Sequence, residues 1–303
     1  MNIYYNGTDI TAFVQVRKCI VRDTCGGRCD SLEVELENAE TWYRWGPRED
    51  DRIVVTRGGY NSGTMYLNAV LPEDGKFRIY ATALPCGARR KEWRSFWGCS
   101  LEQIIRACAM ASGMDFALHG VEGSREIPYI QQENESAPSF LNRLLRYEGA
   151  ALKCVNGRYA AIGIPWAQSR SAYETITVRS NQRAAEYRRF GGGKSALTVR
   201  FPGGSATARD SSVAGNKTES RNLPAGNDIQ AARWARGLLL AENREQEILT
   251  ISTEFHPGAT AMVRVDVTGG TDADGAWLVQ DVEHDLYNGA TRTTLYRCLE
   301  GVQ

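Results

Sequence analysis

DRIVVTRGGYNSGTMYLNAV, residues 51–70, and MVRVDVTGGTDADGAWLVQDV, residues 262–282, can be laid on one another with a single inserted residue. In each copy the step from a central valine (Val54, Val265) to a Gly-Gly pair is four. From the next glycine (Gly63, Gly275) to a closing valine (Val70, Val282) it is seven. Self-similarity of this kind is the mark of a structural repeat. Two related β-domains are therefore expected, and 303 residues at about 150 per domain leave room for about two.

Around the first copy the pattern is short runs broken by Gly, Asn and Asp. Leu32, Val34 and Leu36 alternate with Glu33, Glu35 and Glu37, which predicts a half-buried strand. Asn6-Gly7 signals a type I′ turn, and 52–57, 65–71 and 77–84 read as a meander joined by Gly58-Gly59 and Asp74-Gly75. Residues 1–90 are thus expected to form a small antiparallel barrel or sandwich.

The period changes at Ser100. Ser100 with Gln103 makes a capping box, and Leu101, Ile104, Ile105 and Cys108 follow at helical spacing up to a terminating Gly113. A second helix begins near Ser136, tolerates Pro138 in its first turn, buries Phe140, Leu141, Leu144 and Leu145, and stops at Gly149. With a hairpin on Asn156-Gly157, residues 91–165 read as a small α+β module. Residues 166–303 read as the second β-domain, with a mobile loop near 203–226 and a helix near 228–244 capped by Asn227 and Gln230. Strands resume at 247–255, 261–267, 276–283 and 291–299, so the fold class is mainly β with an α+β insert.

Composition narrows the function. Lys plus Arg and Asp plus Glu are both 36, and a zero net charge argues against a chain built to hold nucleic acid or to coat an anionic membrane. No apolar run reaches the length of a membrane span, and residues 1–10 lack the basic and apolar regions of a signal peptide. The eight cysteines are spread along the chain and read as reduced thiols. Cys19, Cys25 and Cys29 lack the CxxC-like pairing of a zinc site, and His119, His256 and His284 lie far from them, so no metal is expected.

Four motifs have chemical overtones. Gly192-Gly193-Lys194-Ser195 ends like a phosphate loop, but Arg188 stands where the first glycine belongs. Asp272, Asp274 and Gly275 echo a calcium loop yet suit an ordinary Asp-Gly turn. Glu133 and Glu135 are a nominal acid–base pair without a foreseeable aromatic sugar platform. No GxSxG elbow is present, and Cys154 has no evident base. No catalytic, cofactor or metal set is therefore expected. Charge is uneven: residues 170–221 carry ten basic against four acidic residues, and 222–303 carry six against twelve. Such segments would suit head-to-tail contacts between copies.

IPYIQQENESAPSFLNRLLRYEGAALKCVNGRYAAIG, residues 127–163, resembles the signature of the late control gene D proteins, the central baseplate hubs of contractile phage tails and related injection machines. The likeness is carried by Gln132, Asn134, Glu135 and Ser136, then by Phe140, Leu141, Arg143 and Leu144 of the helix, then by the hairpin. DSLEVELENAE, GPREDDRIVV and GTMYLNAV near the start, and PGATAMVRVDV, GAWLVQDVEHDL and TTLYRCLEG near the end, are similar to the same family in order, leaving only about 166–227 uncovered. The resemblance implies a homotrimer in which two barrel-like domains per chain make a quasi-sixfold ring around a central passage. It implies a symmetry adaptor between the sixfold tail tube and a threefold spike, built in the host bacterial cytoplasm and located in the virion tail. Its partners would be the tail tube or distal tube-initiator protein, the spike, the baseplate wedges and, as a further candidate, the tape measure protein. The rival reading is a tail-associated enzyme that cuts cell wall through Glu133 and Glu135. A free nucleic-acid-binding domain is disfavoured by the neutral charge.

Overall fold

The computed structural model describes residues 1–37, 46–73, 75–179, 184–213 and 215–302. Asp74 of the expected Asp74-Gly75 turn and residues 38–40 of the DSLEVELENAE stretch lie outside the described residues. The first region holds β1 (Asn2–Tyr5), β2 (Thr8–Asp9), β3 (Gln15–Thr24), β4 (Ser31–Glu37), β5 (Arg52–Arg57), β6 (Tyr60–Asn61), β7 (Met65–Glu73) and β8 (Lys76–Thr82). Asn6 and Gly7 take φ values of 46° and 83°, the left-handed pair that a two-residue type I′ hairpin requires. The expectation for β4 is corrected: Glu33 and Glu35 are buried as well as Leu32, Val34 and Leu36. Cationic side chains on the neighbouring strands cover that face. Lys18 reaches Glu33 at 2.7 Å, and Lys76 and Arg78 each reach Glu35 at 3.2 Å.

The middle region runs β9 (Lys91–Ser100), α1 (Leu101–Ala111), β10 (Asp115–His119), β11 (Glu126–Ser136), α2 (Ala137–Tyr147), β12 (Ala150–Val155), β13 (Arg158–Gly163) and α3 (Ile164–Ser169). The capping box at Ser100 is formed in both directions: Ser100 Oγ accepts from the Gln103 N–H at 3.2 Å, and Gln103 Oε1 accepts from the Ser100 N–H at 2.7 Å. Ser100→Ala leaves one of α1's first N–H groups without its partner and is expected to cost about 1 kcal/mol, read as a lower melting temperature. A loss under about 0.3 kcal/mol would show that the cap is dispensable.

The last region contains β14 (Thr175–Thr177), β15 (Ala185–Arg189), β16 (Ala196–Phe201), β17 (Gly204–Arg209), β18 (Thr218–Asn222), α4 (Asp228–Asn243), β19 (Glu247–Glu254), β20 (Arg264–Thr268), β21 (Gly275–Asp285) and β22 (Ala290–Arg297). The loop expected near 203–226 is corrected. Within it β17 and β18 flank β16 as a three-stranded sheet. Leu197, Val199 and Ala208 of this sheet share a core with Ala231, Trp234, Ala235 and Leu238 of α4. The strands escape notice in the sequence because the inward positions of β17 are only Ala206 and Ala208, too small to raise a period-2 signal.

A 14-stranded sheet joins the two ends. One half runs β3-β4-β8-β7-β5-β1, and the other runs β15-β19-β22-β21-β20-β14. Corresponding strands occupy corresponding places, and each central hairpin carries a β-bulge, between Leu67 and Ala69 in one copy and between Val279 and Asp281 in the other. Strand pairing moves the repeat by one residue from the sequence alignment. Ile53 pairs with Met65 as Val265 pairs with Trp277, so Val265 corresponds to Ile53 and not to Val54. Ile53 and Val55 are buried as Val265 and Val267 are, while Val54 and Asp266 point the other way. In this register the two strands match without an insertion. The copies differ at the outer strand, since β1 is antiparallel to β5 and β14 is parallel to β20. β21 also pairs with β3, from Asp281↔Thr24 to Asp285↔Ile20, and so welds one half to the other.

Candidate functional site

The residues of the 127–163 motif meet where β11 turns into α2. Asn134 adopts φ 51° at a bulge against β9, which lets the chain bend out of the ribbon and start the helix at Ser136. Gln132 is fully buried and donates from Nε2 to the Glu135 carbonyl at 2.7 Å. Arg143 returns from α2 to donate to Glu135 Oε1 at 2.5 Å and to the Gln131 carbonyl at 2.7 Å. Its guanidinium also lies 5.4 Å from the centroid of Phe140. Phe140, Leu141 and Leu144 have no exposure, and Phe140 stacks on Phe96 at 5.5 Å and 9°. All eight motif residues thus serve one corner: the polar ones shape the bulge and the apolar ones anchor the helix.

The opposite face of the β9–β11 ribbon is aromatic and open. Trp93 and Trp97 are 67% and 71% exposed, and Tyr129 sits across from Trp97 with ring centroids 4.3 Å apart. These tryptophans are not among the sequence-predicted residues, and their alternate spacing in Lys91–Ser100 is the one signal available for them. The expectation that no aromatic platform flanks the carboxylates is corrected, because Trp93 lies directly opposite Glu133. Glu135, by contrast, is tied to Arg143 by an ion pair. Exposed aromatic strips of this kind mark contact surfaces.

A buried ion cluster joins the three parts of the chain. Lys153 on β12 donates to Asp23 of β3 at 2.5 Å and to both carboxylate oxygens of Asp30 at 3.2 Å. Asp23 also accepts from Thr260 Oγ1 at 2.6 Å and from the Ala261 N–H at 3.0 Å, both before β20. Asp30 accepts from the Thr24 N–H at 2.9 Å. Burial, opposed by Lys153 and reinforced by the Asp23 charge, pushes the Asp30 carboxyl up to about 7. The cluster is nearly silent in the sequence, where its one signal is a lysine inside the apolar strand AALKCV.

The other motifs have structural explanations. Lys194 pairs with Glu219 and Glu242, so its charge is already matched, and its N–H donates to Asn243 Oδ1 at 2.8 Å. Asp274 accepts from the N–H groups of Gly270 and Thr271, closing its own turn. Cys19 and Cys25 are buried, and burial pushes both thiols up to about 12. His284 is buried between Thr291 Oγ1 and the Ala259 carbonyl, each at 3.1 Å, and burial lowers its pKa. Part of the uneven charge is matched inside the chain, where Lys194 and Arg221 meet Glu242 and Arg189 approaches Glu247 at 3.6 Å.

No protein-family model and no curated protein sequence matches the chain. Solved structures do. The chain is similar to a tail protein from Neisseria meningitidis, at 12% identity and a TM-score of 0.77 over 98% of this chain and 95% of the other. It is similar to the 43 kDa tail protein of prophage MuSo2 from Shewanella oneidensis, at 13% identity and a TM-score of 0.72 over the same shares. An E. coli type VI secretion component, itself described as structurally similar to the bacteriophage T4 tail proteins gp27 and gp5, matches at 11% identity and a TM-score of 0.59, over 99% of this chain and 77% of that one. The fold is that of phage tail proteins, in keeping with the resemblance carried by residues 127–163.

Proposed function

We propose that the chain is a structural hub of a contractile phage tail or related injection particle, acting as a symmetry adaptor. Three copies form a ring around a central passage and present six similar half-sheets to a sixfold tube, while the threefold face receives a spike. The observation that carries this reading is the repeated strand order β3-β4-β8-β7-β5-β1 and β15-β19-β22-β21-β20-β14, welded by β21 and β3. A ring of three such chains has six equivalent positions, which is what matching sixfold to threefold geometry demands. The likeness of the whole chain to phage tail structures supports it. The strip of exposed Trp93 and Trp97 with half-buried Tyr129 is then the candidate contact for a spike or wedge protein. The cell-wall enzyme reading draws on Trp93 beside Glu133, but the tie between Glu135 and Arg143 deprives it of a free second carboxylate. A reconstruction of the assembled tail tip tests the proposal: three copies in one ring are expected, and six copies per tip would overturn it.

A further inference from the structure

The repeat assigns a partner to an edge that the described residues of the single chain leave open. In the internal weld, β3 faces β21 with Cys19, Val21 and Asp23, since Leu286 donates its N–H to the Cys19 carbonyl at 2.8 Å and every second residue follows. The counterpart of β3 is β15, and the counterpart of β21 is β7. Among the described residues β15 pairs only with β19, and β7 beyond Leu67 pairs only with β8. Each therefore has an open side where its counterpart has a neighbour.

The backbone of β15 is phased for such a neighbour. Phe190 donates to Gln246, and the Ala184 carbonyl accepts from Ser252, so the even-numbered residues face β19. Ala185, Tyr187 and Arg189 turn their backbone groups outward. These are the counterparts of Cys19, Val21 and Asp23, the residues that face β21. On β7, Pro72 has no N–H to offer β8 and belongs to the outward-facing set with Val70. Two exposed large apolar side chains flank these edges, Leu71 at 44% and Phe190 at 48%.

We propose that copies of this chain join by antiparallel pairing of Ala69–Glu73 of one copy with Glu186–Phe190 of the next. Carried over from the weld, the register sets Ala69 opposite Phe190, Val70 opposite Arg189 and Leu71 opposite Arg188. Phe190 then lies across Ala69 and diagonal to Leu71, removing both exposed apolar side chains from water. Pro72 makes this ladder one donor poorer than the weld and guards the edge against indiscriminate pairing before assembly. The contact is head-to-tail, so it makes a ring only if the rotation closes. Closure at three rests on the hub reading above.

Leu71 and Arg188 form a non-hydrogen-bonded pair in this register, where Cα atoms lie close enough for a disulfide. The test is the double variant Leu71→Cys with Arg188→Cys in the full chain, oxidised at high protein concentration beside each single variant. Circular dichroism and melting confirm that all three fold. A reducible three-chain species containing the 71–188 linked peptide, absent from both single variants, is the expected result. A linked ladder running past three chains supports the strand junction and overturns closure at three. A trimer by native mass spectrometry without the 71–188 link overturns the junction and leaves the hub reading standing. A chain that stays monomeric and unlinked at every concentration also overturns the junction, and leaves the hub reading to be decided by copy number in the tail tip.

Discussion

Lys153→Met should lower stability by about 3–5 kcal/mol, because it removes the one cation shared by two buried carboxylates and leaves both uncompensated. The pH dependence identifies the cause. In the native protein the Asp30 carboxyl is raised from 3.8 to about 7, so the folded state holds this proton more tightly than the unfolded chain. Its stabilising contribution is full below about pH 4 and is lost as pH rises through about 7, an effect on the order of a few kcal/mol at about 1.4 per pKa unit. Asp30→Asn should flatten the melting profile between pH 4 and 7, while Lys153→Met should steepen it, with the deficit larger at pH 8 than at pH 5. Parallel profiles for the native protein and both variants would remove the cluster from the account.

Gly237→Ala sets two effects against each other. Helix propensity favours alanine by about 1 kcal/mol in the interior of α4. Packing opposes it, because a Cβ at 237 would sit 2.1 Å from the Tyr147 carbonyl oxygen and 2.6 Å from the Gly149 N–H nitrogen. Both obstacles are backbone, and neither can swing aside as a side chain would. α4 must move away from the turn between α2 and β12, which would also pull Trp234 from its 2.8 Å hydrogen bond to Glu148. Overpacking of this kind costs about 3 kcal/mol, which outweighs the propensity gain and should lower the melting temperature by roughly 5 °C. An unchanged or raised melting temperature would show that α4 does not approach this closely.

Where the decisive chemistry is local, the sequence was readable. The Ser100–Gln103 box and the Asn227 cap are four-residue devices, and each appears where expected. The Asn6-Gly7 and Asn156-Gly157 turns are equally local. What depends on neighbours distant in sequence was not readable. Glu33 and Glu35 looked solvent-facing because the lysines and arginine that cover them lie on other strands. The repeat was visible, but its register was off by one, since three successive apolar residues, Ile53, Val54 and Val55, do not reveal which side is buried. The edge strand β15, five residues rich in charge, is too short for its alternation of Ala185 and Tyr187 to stand out. Of the middle module, the corner around Phe140 was legible and the tryptophan face on its far side was missed.

The weld between β3 and β21 also sets an order in time. Arg22 and Glu283, which meet across it at 2.9 Å, are 261 positions apart. During synthesis β3 therefore waits for nearly the whole chain before its neighbour exists, and such long-range pairing is slow to form. Until then a ten-residue strand with alternate buried positions has β4 on one flank and nothing on the other. Nascent chains on neighbouring ribosomes carry the same waiting edge, so the feature that unites the two halves also makes the unfinished protein prone to mispairing and gives a chaperone a reason to hold it.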